Sequence, residues 1–397
     1  MRLALITPGF ASPGETNFAI PALTDTVRTL AGRHDVHVFT LRYPHSRGSY
    51  QIHGATVHAF GWGTAGGASR LRLLQIVLAA IGREHRRRPF DLFHGLWADE
   101  PGFVATAAGR LHRKPSIVSI LGGELIGFPD IGYGGQLSRI NRLLTRQALR
   151  AASAVTVGSE FLRQIAAARV PNDRLRILPL GVDTTLFTPT EISPKTPPDN
   201  SRFMFHVSLF THPDQETSFH ILHVASLSPI KDQRTLLDAL AIVANAHPEV
   251  HLHIVGSGAL RGTLTAQAAA LNLAGHITLH GEIMHERLPD YYRAADLFVL
   301  SSRYESQSLV ALEAAACGCP LVGSAVGVLP ELLDPTQVVP VGDSGALAAA
   351  IGAMIRDPAR RSSLANQDRA RALARFSLAR TVSELELLYH ELSAGVR

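Results

Sequence analysis

The strongest constraint on this chain is a repeated pairing of short apolar runs with loops that break them. Leu3-Ala4-Leu5-Ile6 ends at Thr7-Pro8-Gly9, and the loop it enters spans 7–16. A helical pattern follows over about 18–30, and Val36-His37-Val38-Phe39-Thr40 is the next run. Apolar runs of this length, bounded by turn residues, read as strands buried on both faces. Strand, loop, helix and strand within forty residues make a βαβ unit. The same unit recurs through Asp91-Leu92-Phe93-His94-Gly95, Ser116–Leu121, Ala154–Val157, His220–Ala225, Val250–Val255, His276–Leu279 and Leu297–Leu300. The expected fold class is therefore α/β, with doubly wound, Rossmann-like parallel sheets.

At 397 residues the chain exceeds one ordinary core, so two such domains are expected. A stretch rich in Pro, Ser and Thr separates them. The reading places an N-terminal domain at 1–187, a linker at 188–217 and a C-terminal domain at 218–375. Residues 376–397 are read as a last helix that packs back toward the N-terminal domain.

Open parallel sheets bind ligands beyond the carboxyl ends of their strands, so strand-end residues are the candidates. The first loop lacks G-x-G-x-x-G, which argues against a dinucleotide oxidoreductase. In the first half His94 and Gly122-Gly123-Glu124 follow strands, and the glycine-rich tract 127–135 reads as a mobile lid or acceptor loop. In the second half Lys231 lies in the turn after the first strand, where a cation reaches a diphosphate. Gly256-Ser257-Gly258 forms a short glycine turn.

One stretch gathers these hints. From Glu305 to Glu313 the sequence passes from a loop, Glu305-Ser306-Gln307-Ser308, into the strongly helical run Leu309–Ala316. Ser306 or Ser308 is expected to cap that helix, Gly318 to end it and Pro320 to forbid continuation. A helix N-terminus presents free amides to an anion. Diphosphate there, ribose near Glu313 and sugar near Glu305 would fit one nucleotide-sugar.

Composition narrows the setting. No apolar run approaches the ~18 residues of a membrane span, and the first run is too short for a signal peptide. Cys317 and Cys319, one residue apart, suit neither an easy disulfide nor a zinc site, so reduced thiols and a cytoplasmic setting are expected. Residues 1–190 carry 22 Lys and Arg against 12 Asp and Glu, and the remainder 16 against 21. So basic a first half suits nucleic acid, an anionic membrane or an anionic acceptor. Helix 69–88, with a basic flank, offers a membrane-surface face, although a helix covering the sheet explains the same pattern more simply.

Taken together, these motifs resemble the retaining glycosyltransferases of family 4, the glycosyl transferases group 1. The carriers are "ILHVASLSPIKDQRTLLDAL", "HIVGSG", "YYRAADLFVLSSRYESQSLVALEAAACGCPLVGSAVGVLPELL" and "ILPLGVDTTLFTP". The resemblance implies the GT-B fold, two Rossmann-like domains facing across a cleft. It implies hexose transfer from a nucleoside-diphosphate sugar to a glycan or lipid-linked hydroxyl, with retained configuration. It assigns the diphosphate to Lys231, to the amides of Ser308 and Leu309, and to Gly14. It assigns ribose to Glu313, and the transferred sugar to Glu305 with Ser306 and Gln307. Gly122, Gly123 and Glu124 fall on the acceptor side, and Glu305 and His94 are the catalytic candidates. Neither metal nor other cofactor is expected, and no nucleic acid; the basic domain is expected to touch an anionic membrane peripherally at its inner face.

The chain departs from the family pattern in places. Ser226 stands where many relatives carry an arginine, Ser306-Gln307-Ser308 where many carry Gly-Phe-Gly, Leu121 at a usual histidine and Glu15 at a usual glycine. Two alternatives follow: a nucleotide-sugar-binding partner subunit without turnover, and another GT-B enzyme such as a sugar-nucleotide epimerase.

Overall fold

The computed structural model describes residues 1–13, 20–63, 68–189, 210 and 218–395. The chain divides into two compact units, Met1–Gly181 with Leu378–Arg397, and Val182–Ser377.

Unit 1 is built on an eight-stranded sheet. Its strands are β1 (Arg2–Gly9), β2 (Asp35–Tyr43), β3 (Gly48–Ile52), β4 (Ala55–Ala59), β5 (Leu92–Leu96), β6 (Ser116–Ile120), β7 (Ala154–Val157) and β8 (Leu175–Ile177), in the order β3-β4-β2-β1-β5-β6-β7-β8. All pairings are parallel except β3 with β4. That hairpin turns at His53-Gly54, both with positive φ, as a two-residue hairpin requires. The sequence reading missed β3 because its residues are half-buried to exposed and carry no apolar run. Helices α1 (Pro21–Ala31), α2 (Ala68–Arg87), α3 (Glu100–His112), α4 (Arg139–Ala151) and α5 (Glu160–Ala167) connect the strands.

Unit 2 has a six-stranded parallel sheet. It comprises β9 (Phe219–Val224), β10 (Val250–Val255), β11 (Ile277–Gly281), β12 (Leu297–Leu300), β13 (Leu321–Ser324) and β14 (Val338–Val339), ordered β11-β10-β9-β12-β13-β14. Helices α6 (Gln233–Ala246), α7 (Arg261–Ala270), α8 (Leu288–Ala294), α9 (Leu309–Ala316), α10 (Leu329–Leu332), α11 (Ser344–Arg356) and α12 (Pro358–Arg375) complete it. One face of the sheet packs Ile221, Leu252 and Ile254 into a core with Leu236, Leu240 and Ile351. Residues alternate between faces along a strand, so the opposite face carries His220 and His253. These join His280 in a ladder with ring nitrogens 3.1 and 3.0 Å apart, and Phe210 stacks on His253 at 3.9 Å.

The last helix, α13 (Leu378–Ala394), belongs to unit 1. Its Val382, Leu385, Leu388 and Tyr389 enter the core that holds Leu3, Leu5, Val36 and Val38. Most of the expected linker, 190–209 and 211–217, lies outside the described residues, as does Gly14.

Each sheet contains a topological switch point, where the strand order runs both ways from one strand. In unit 1 the order reverses between β1 and β5, and in unit 2 between β9 and β12. Chains leaving neighbouring strands there go to opposite faces and open a crevice.

Candidate functional site

In unit 2 the crevice beyond β9 and β12 is where the sequence-predicted residues meet. After β9 the chain makes a 3-10 turn, Pro229–Lys231, and Asp232 takes a left-handed conformation before α6. After β12 comes Ser301 through Ser308, then α9. Backbone and side chain tie the two segments together: Arg303 N–H donates to Ile230 O at 2.8 Å, and Ser301 Oγ donates to Lys231 O at 2.9 Å. Lys231 Nζ therefore reaches Glu305 Oε1 at 2.6 Å, and Ser302 Oγ donates to the same oxygen at 2.7 Å. Glu305 is only 9% exposed. A buried carboxylate is costly unless charge and hydrogen bonds compensate it, and here both are present.

The glycine turn supplies close approach. A Cβ on Gly256 would stand 2.0 Å from Ala225 O, and one on Gly258 2.4 Å from Leu227 O. Both positions also have positive φ, so β10 can run against the turn after β9 only with glycines there.

Ser308 corrects the capping expectation. It sits at the N-cap of α9, but its side chain makes no capping hydrogen bond and its backbone is left-handed, φ 83°. Its Oγ is buried and, among the described residues, has no hydrogen-bond partner, in a residue 6% exposed. An unpaired buried hydroxyl and a left-handed non-glycine backbone each cost free energy. Both lie at the open amide end of a helix, where an anion would relieve the first cost. At its other end α9 behaves as read: Gly318 has φ 76°, and its N–H donates to Ala315 O at 2.9 Å.

One turn further along α9, Glu313 is 6% exposed. Its Oε1 lies 3.0 Å from His285 Nε2, and its Oε2 accepts from Tyr292 Oη at 2.9 Å. Phe187 closes on both rings, at 5.0 and 6.0 Å. Burial first, then the Glu313 charge, pushes the Tyr292 hydroxyl far above its ordinary pKa, so it stays a donor. His285 carried no sequence signal, and Tyr292, although it lies in the stretch that opens Tyr291-Tyr292, was assigned no role from sequence. Ser306 and Gln307 bridge the two glutamates, and Gln307 O accepts from Val328 N–H at 2.8 Å.

The first-half candidates behave differently. The strand-end position expected for His94 is corrected: β5 continues to Leu96, and His94 lies inside the strand, 2% exposed. Its Nδ1 lies 2.9 Å from Tyr389 Oη, its Nε2 lies 2.7 Å from Ser119 Oγ, and burial lowers its pKa to about 3. It is a neutral core residue holding α13 to the sheet. The residue actually leaving β5 is Trp97, with φ 83°. Reading that strand one residue longer, to Leu96, would have put the exit at Trp97.

Glu124 is 4% exposed and turned inward. Its Oε1 accepts from Ala98 and Leu121 N–H at 3.1 and 3.2 Å, and its Oε2 from Gly122 N–H at 2.7 Å. Burial raises its pKa to about 7 despite these amides. A Cβ on Gly122 would stand 3.1 Å from Trp97 Nε1, and one on Gly123 2.9 Å from the Tyr133 ring. The tract 127–135, read as mobile, is pinned: Phe128 N–H donates to Tyr133 O at 2.7 Å and Gly135 N–H to Gly123 O at 2.8 Å. Both cysteines are free and buried, and burial pushes Cys317 up to about 12. Among the described residues no group of three or more His, Cys, Asp or Glu is placed to hold a metal, and no helix is long and apolar enough to cross a membrane.

Comparison with known proteins places this geometry. The profile described as Glycosyl transferases group 1 matches residues 208–371, and that described as Glycosyl transferase 4-like domain matches 20–181. A GDP-mannose-dependent alpha-(1-6)-phosphatidylinositol monomannoside mannosyltransferase from Mycolicibacterium smegmatis is 31% identical over 58% of this chain and 60% of its own. A D-inositol 3-phosphate glycosyltransferase from Xylanimonas cellulosilytica is 34% identical over 50% of this chain and 47% of its own. The chain thus spans about half to three-fifths of the length of these two relatives. A D-inositol 3-phosphate glycosyltransferase from Acidothermus cellulolyticus is 33% identical over 82% of this chain and 73% of its own. Among solved structures, sucrose-phosphate synthase from Thermosynechococcus elongatus superimposes with a TM-score of 0.80 at 22% identity, over 100% of both chains. Anabaena HepE, solved with UDP and glucose, gives 0.74 at 22% identity over 98% of this chain and 99% of its own. The fold is thus the two-domain Rossmann-like GT-B type, and the chain belongs to the glycosyl transferases group 1, the family 4 glycosyltransferases.

Proposed function

We propose that the protein is a retaining hexosyltransferase that uses a nucleoside-diphosphate sugar and a glycan or lipid-linked acceptor hydroxyl. The observation that carries this reading is Ser308: a buried hydroxyl without a partner among the described residues, at a strained helix N-cap, beside the Lys231–Glu305 pair. An anionic diphosphate satisfies the hydroxyl, the free amides of α9 and the lysine charge together. The ribose diol is assigned to Glu313, held in place by Tyr292 and exchanging its His285 contact for the ligand. Glu305, on releasing Lys231 to the phosphate, is assigned to the sugar hydroxyls.

In the proposed reaction the bond from the anomeric carbon to the phosphate oxygen breaks, and the diphosphate leaves with the electron pair. The acceptor oxygen bonds the anomeric carbon from the same face, and its proton passes to the departing phosphate oxygen. Lys231, the α9 amides and Ser308 Oγ stabilise charge that grows on the leaving group, which is where fixed donors contribute most. Relatives named for phosphatidylinositol mannoside and inositol 3-phosphate direct the acceptor search toward inositol-bearing and lipid-linked alcohols.

The test is a thermal-shift panel of GDP, UDP and ADP, followed by mass-spectrometric detection of transfer and NMR of the product's anomeric configuration. A ligand that binds only the folded state raises its melting temperature. If none of the three raises it, the donor assignment fails. An inverted product would overturn the retaining reading. A second reading, a binding subunit without turnover, draws on Ser226, whose Oγ lies 3.1 Å from Ser228 Oγ where many relatives place an arginine. Tight nucleotide binding with no transfer to any acceptor would favour it.

A further inference from the structure

One face of unit 1 combines two features that water alone does not reward. α4 contains Arg139, Arg142, Arg146 and Arg150 and no acidic residue. All four arginines are exposed, and among the described residues none forms an ion pair. Beside them lie Leu137, Ile140 and Leu143, 42, 47 and 56% exposed and spaced three apart, so they share one side of the helix and of the turn before it. Leu71, 65% exposed, lies on the first turn of α2. Arg70 Nη2 donates to Asn141 Oδ1 at 2.6 Å, and Leu144 shares a core cluster with Leu73 and Leu74, so the two helix starts adjoin. Four of the ten large apolar side chains exposed among the described residues therefore fall on α4, the turn before it and the adjoining first turn of α2.

The rest of α2 behaves oppositely. Its Leu73, Leu74, Val77 and Ile81 are buried, and at its far end Arg87 pairs with Glu84 and Arg88 with Asp35, at 2.7 and 3.1 Å. The helix whose sequence suggested a membrane face spends its stripe on the core.

We propose that α4, the turn before it and the first turn of α2 dock the protein on an anionic lipid bilayer. An apolar strip that enters the acyl boundary, flanked by arginines that reach lipid phosphates, is the pattern of an interfacial helix. A helix with four unpaired cations and no acidic residue of its own complements a uniformly anionic sheet. Position gives the docking a purpose. The turn Gly135–Leu137 hydrogen-bonds directly to the acceptor-side loop, through Gly135 N–H to Gly123 O at 2.8 Å and Gln136 Nε2 to Glu124 O at 2.5 Å. A headgroup lipid seated at this face stands next to Gly122–Glu124. This deepens the lipid-linked part of the proposed acceptor and rests on it.

The test is vesicle co-sedimentation of the full chain without nucleotide, on phosphatidylcholine alone and with about a third phosphatidylglycerol. The wild type is expected to sediment with the anionic vesicles only, and less in high salt. Arg139→Glu/Arg142→Glu/Arg146→Glu is expected to lower the partition roughly a hundred-fold, and Leu137→Ser/Ile140→Ser/Leu143→Ser about ten-fold or more. Leu387→Ser, at an exposed leucine on α13, is expected to change nothing. Melting temperatures of the variants report folding, and GDP or UDP shifts report the donor site separately. A wild type that ignores anionic vesicles, or folded variants that bind like it, overturns the proposal. So does loss of self-association, rather than of lipid binding, in the serine variant.

Discussion

The crevices at the two switch points share one feature and differ in nearly everything else. Each contains a non-glycine residue at φ 83°, Trp97 beyond β5 and Ser308 beyond β12. Around Ser308 the polar groups are paired across loops or have no partner, so a ligand can take them over. Around Trp97 the carboxylate of Glu124 is committed to its own backbone, holding three amides of two loops. The first crevice is electrostatic; the second offers aromatic and glycine backbone surface. In the proposed assignment the diphosphate calls for fixed cations and amides whatever sugar it carries, whereas the acceptor would meet aromatic and glycine walls. Membrane docking through α4, as proposed above, supplies positioning that the crevice beyond β5 lacks.

That contrast makes its largest forecast for turnover. Glu305→Gln keeps the shape but loses the charge next to Lys231, and transfer should fall about a hundred- to a thousand-fold. GDP or UDP binding, read by thermal shift, should change far less. Lys231→Met should lower both. Glu124→Gln, with folding intact, should cost transfer roughly ten-fold at most. Equal losses from Glu305→Gln and Glu124→Gln would erase the distinction between the crevices.

Stability carries the next effect, with a definite sign in pH. Glu124→Ala strands three buried amides, and unit 1 should lose on the order of 3 kcal/mol in urea titrations. Both tryptophans, Trp62 and Trp97, lie in unit 1, so their fluorescence reads that unit. In the wild type, burial keeps the proton on Glu124 up to about pH 7 when folded, against an ordinary value of 4.5. The folded state holds the extra proton in that window, so this group's contribution favours folding below 4.5 and declines as pH rises to 7. Glu124→Gln should remove that decline. An unchanged slope would mean the carboxyl is ionised throughout.

Histidines give the opposite sign. Burial lowers His253 to about 2, His223 and His251 to about 4, and also depresses His220 and His280. The unfolded chain takes up protons first as pH falls below 6.5, so unit 2 is fully stable above that value and weakens progressively toward pH 4. Amide hydrogen exchange on peptides from β9, β10 and β11 should show protection falling across that range, by a few kcal/mol in total. Flat protection from pH 7 to 4 would contradict the neutral ladder.

How much of this was legible beforehand follows the same division. Strands buried on both faces announce themselves as apolar runs, so both sheets and the run Leu309–Ala316 could be read directly. Lys231, Glu305 and Glu313 could be named because charge at a strand end or helix start is conspicuous in one dimension. His94 misled because a run of apolar residues does not mark where a strand stops; one more residue of β5, Leu96, moved the exit to Trp97. Ser308 looked like a cap because serine usually caps, and only the backbone angle showed that its hydroxyl is unused. Tyr292 and His285 reach Glu313 through tertiary placement, which no local pattern encodes. The α4 face was overlooked because exposure, not periodicity, distinguishes it from the covering stripe of α2.

The smallest forecast returns to the two residues at φ 83°. Ser308→Gly relieves a left-handed non-glycine backbone but adds freedom to the unfolded chain, so net stability should rise by only about 0.5 kcal/mol. It also removes the hydroxyl proposed to meet the phosphate, and donor KM should rise several-fold. Trp97→Gly relieves the same angle yet removes a large ring packed on Gly122, so unit 1 should lose stability and acceptor KM should rise while donor KM holds. Opposite stability signs from the same angle would locate the use of the strain: a ligand contact in one crevice, a built wall in the other. If Ser308→Gly left donor KM unchanged, its hydroxyl would be only an uncompensated cost, and the phosphate assignment would rest on Lys231 and the α9 amides.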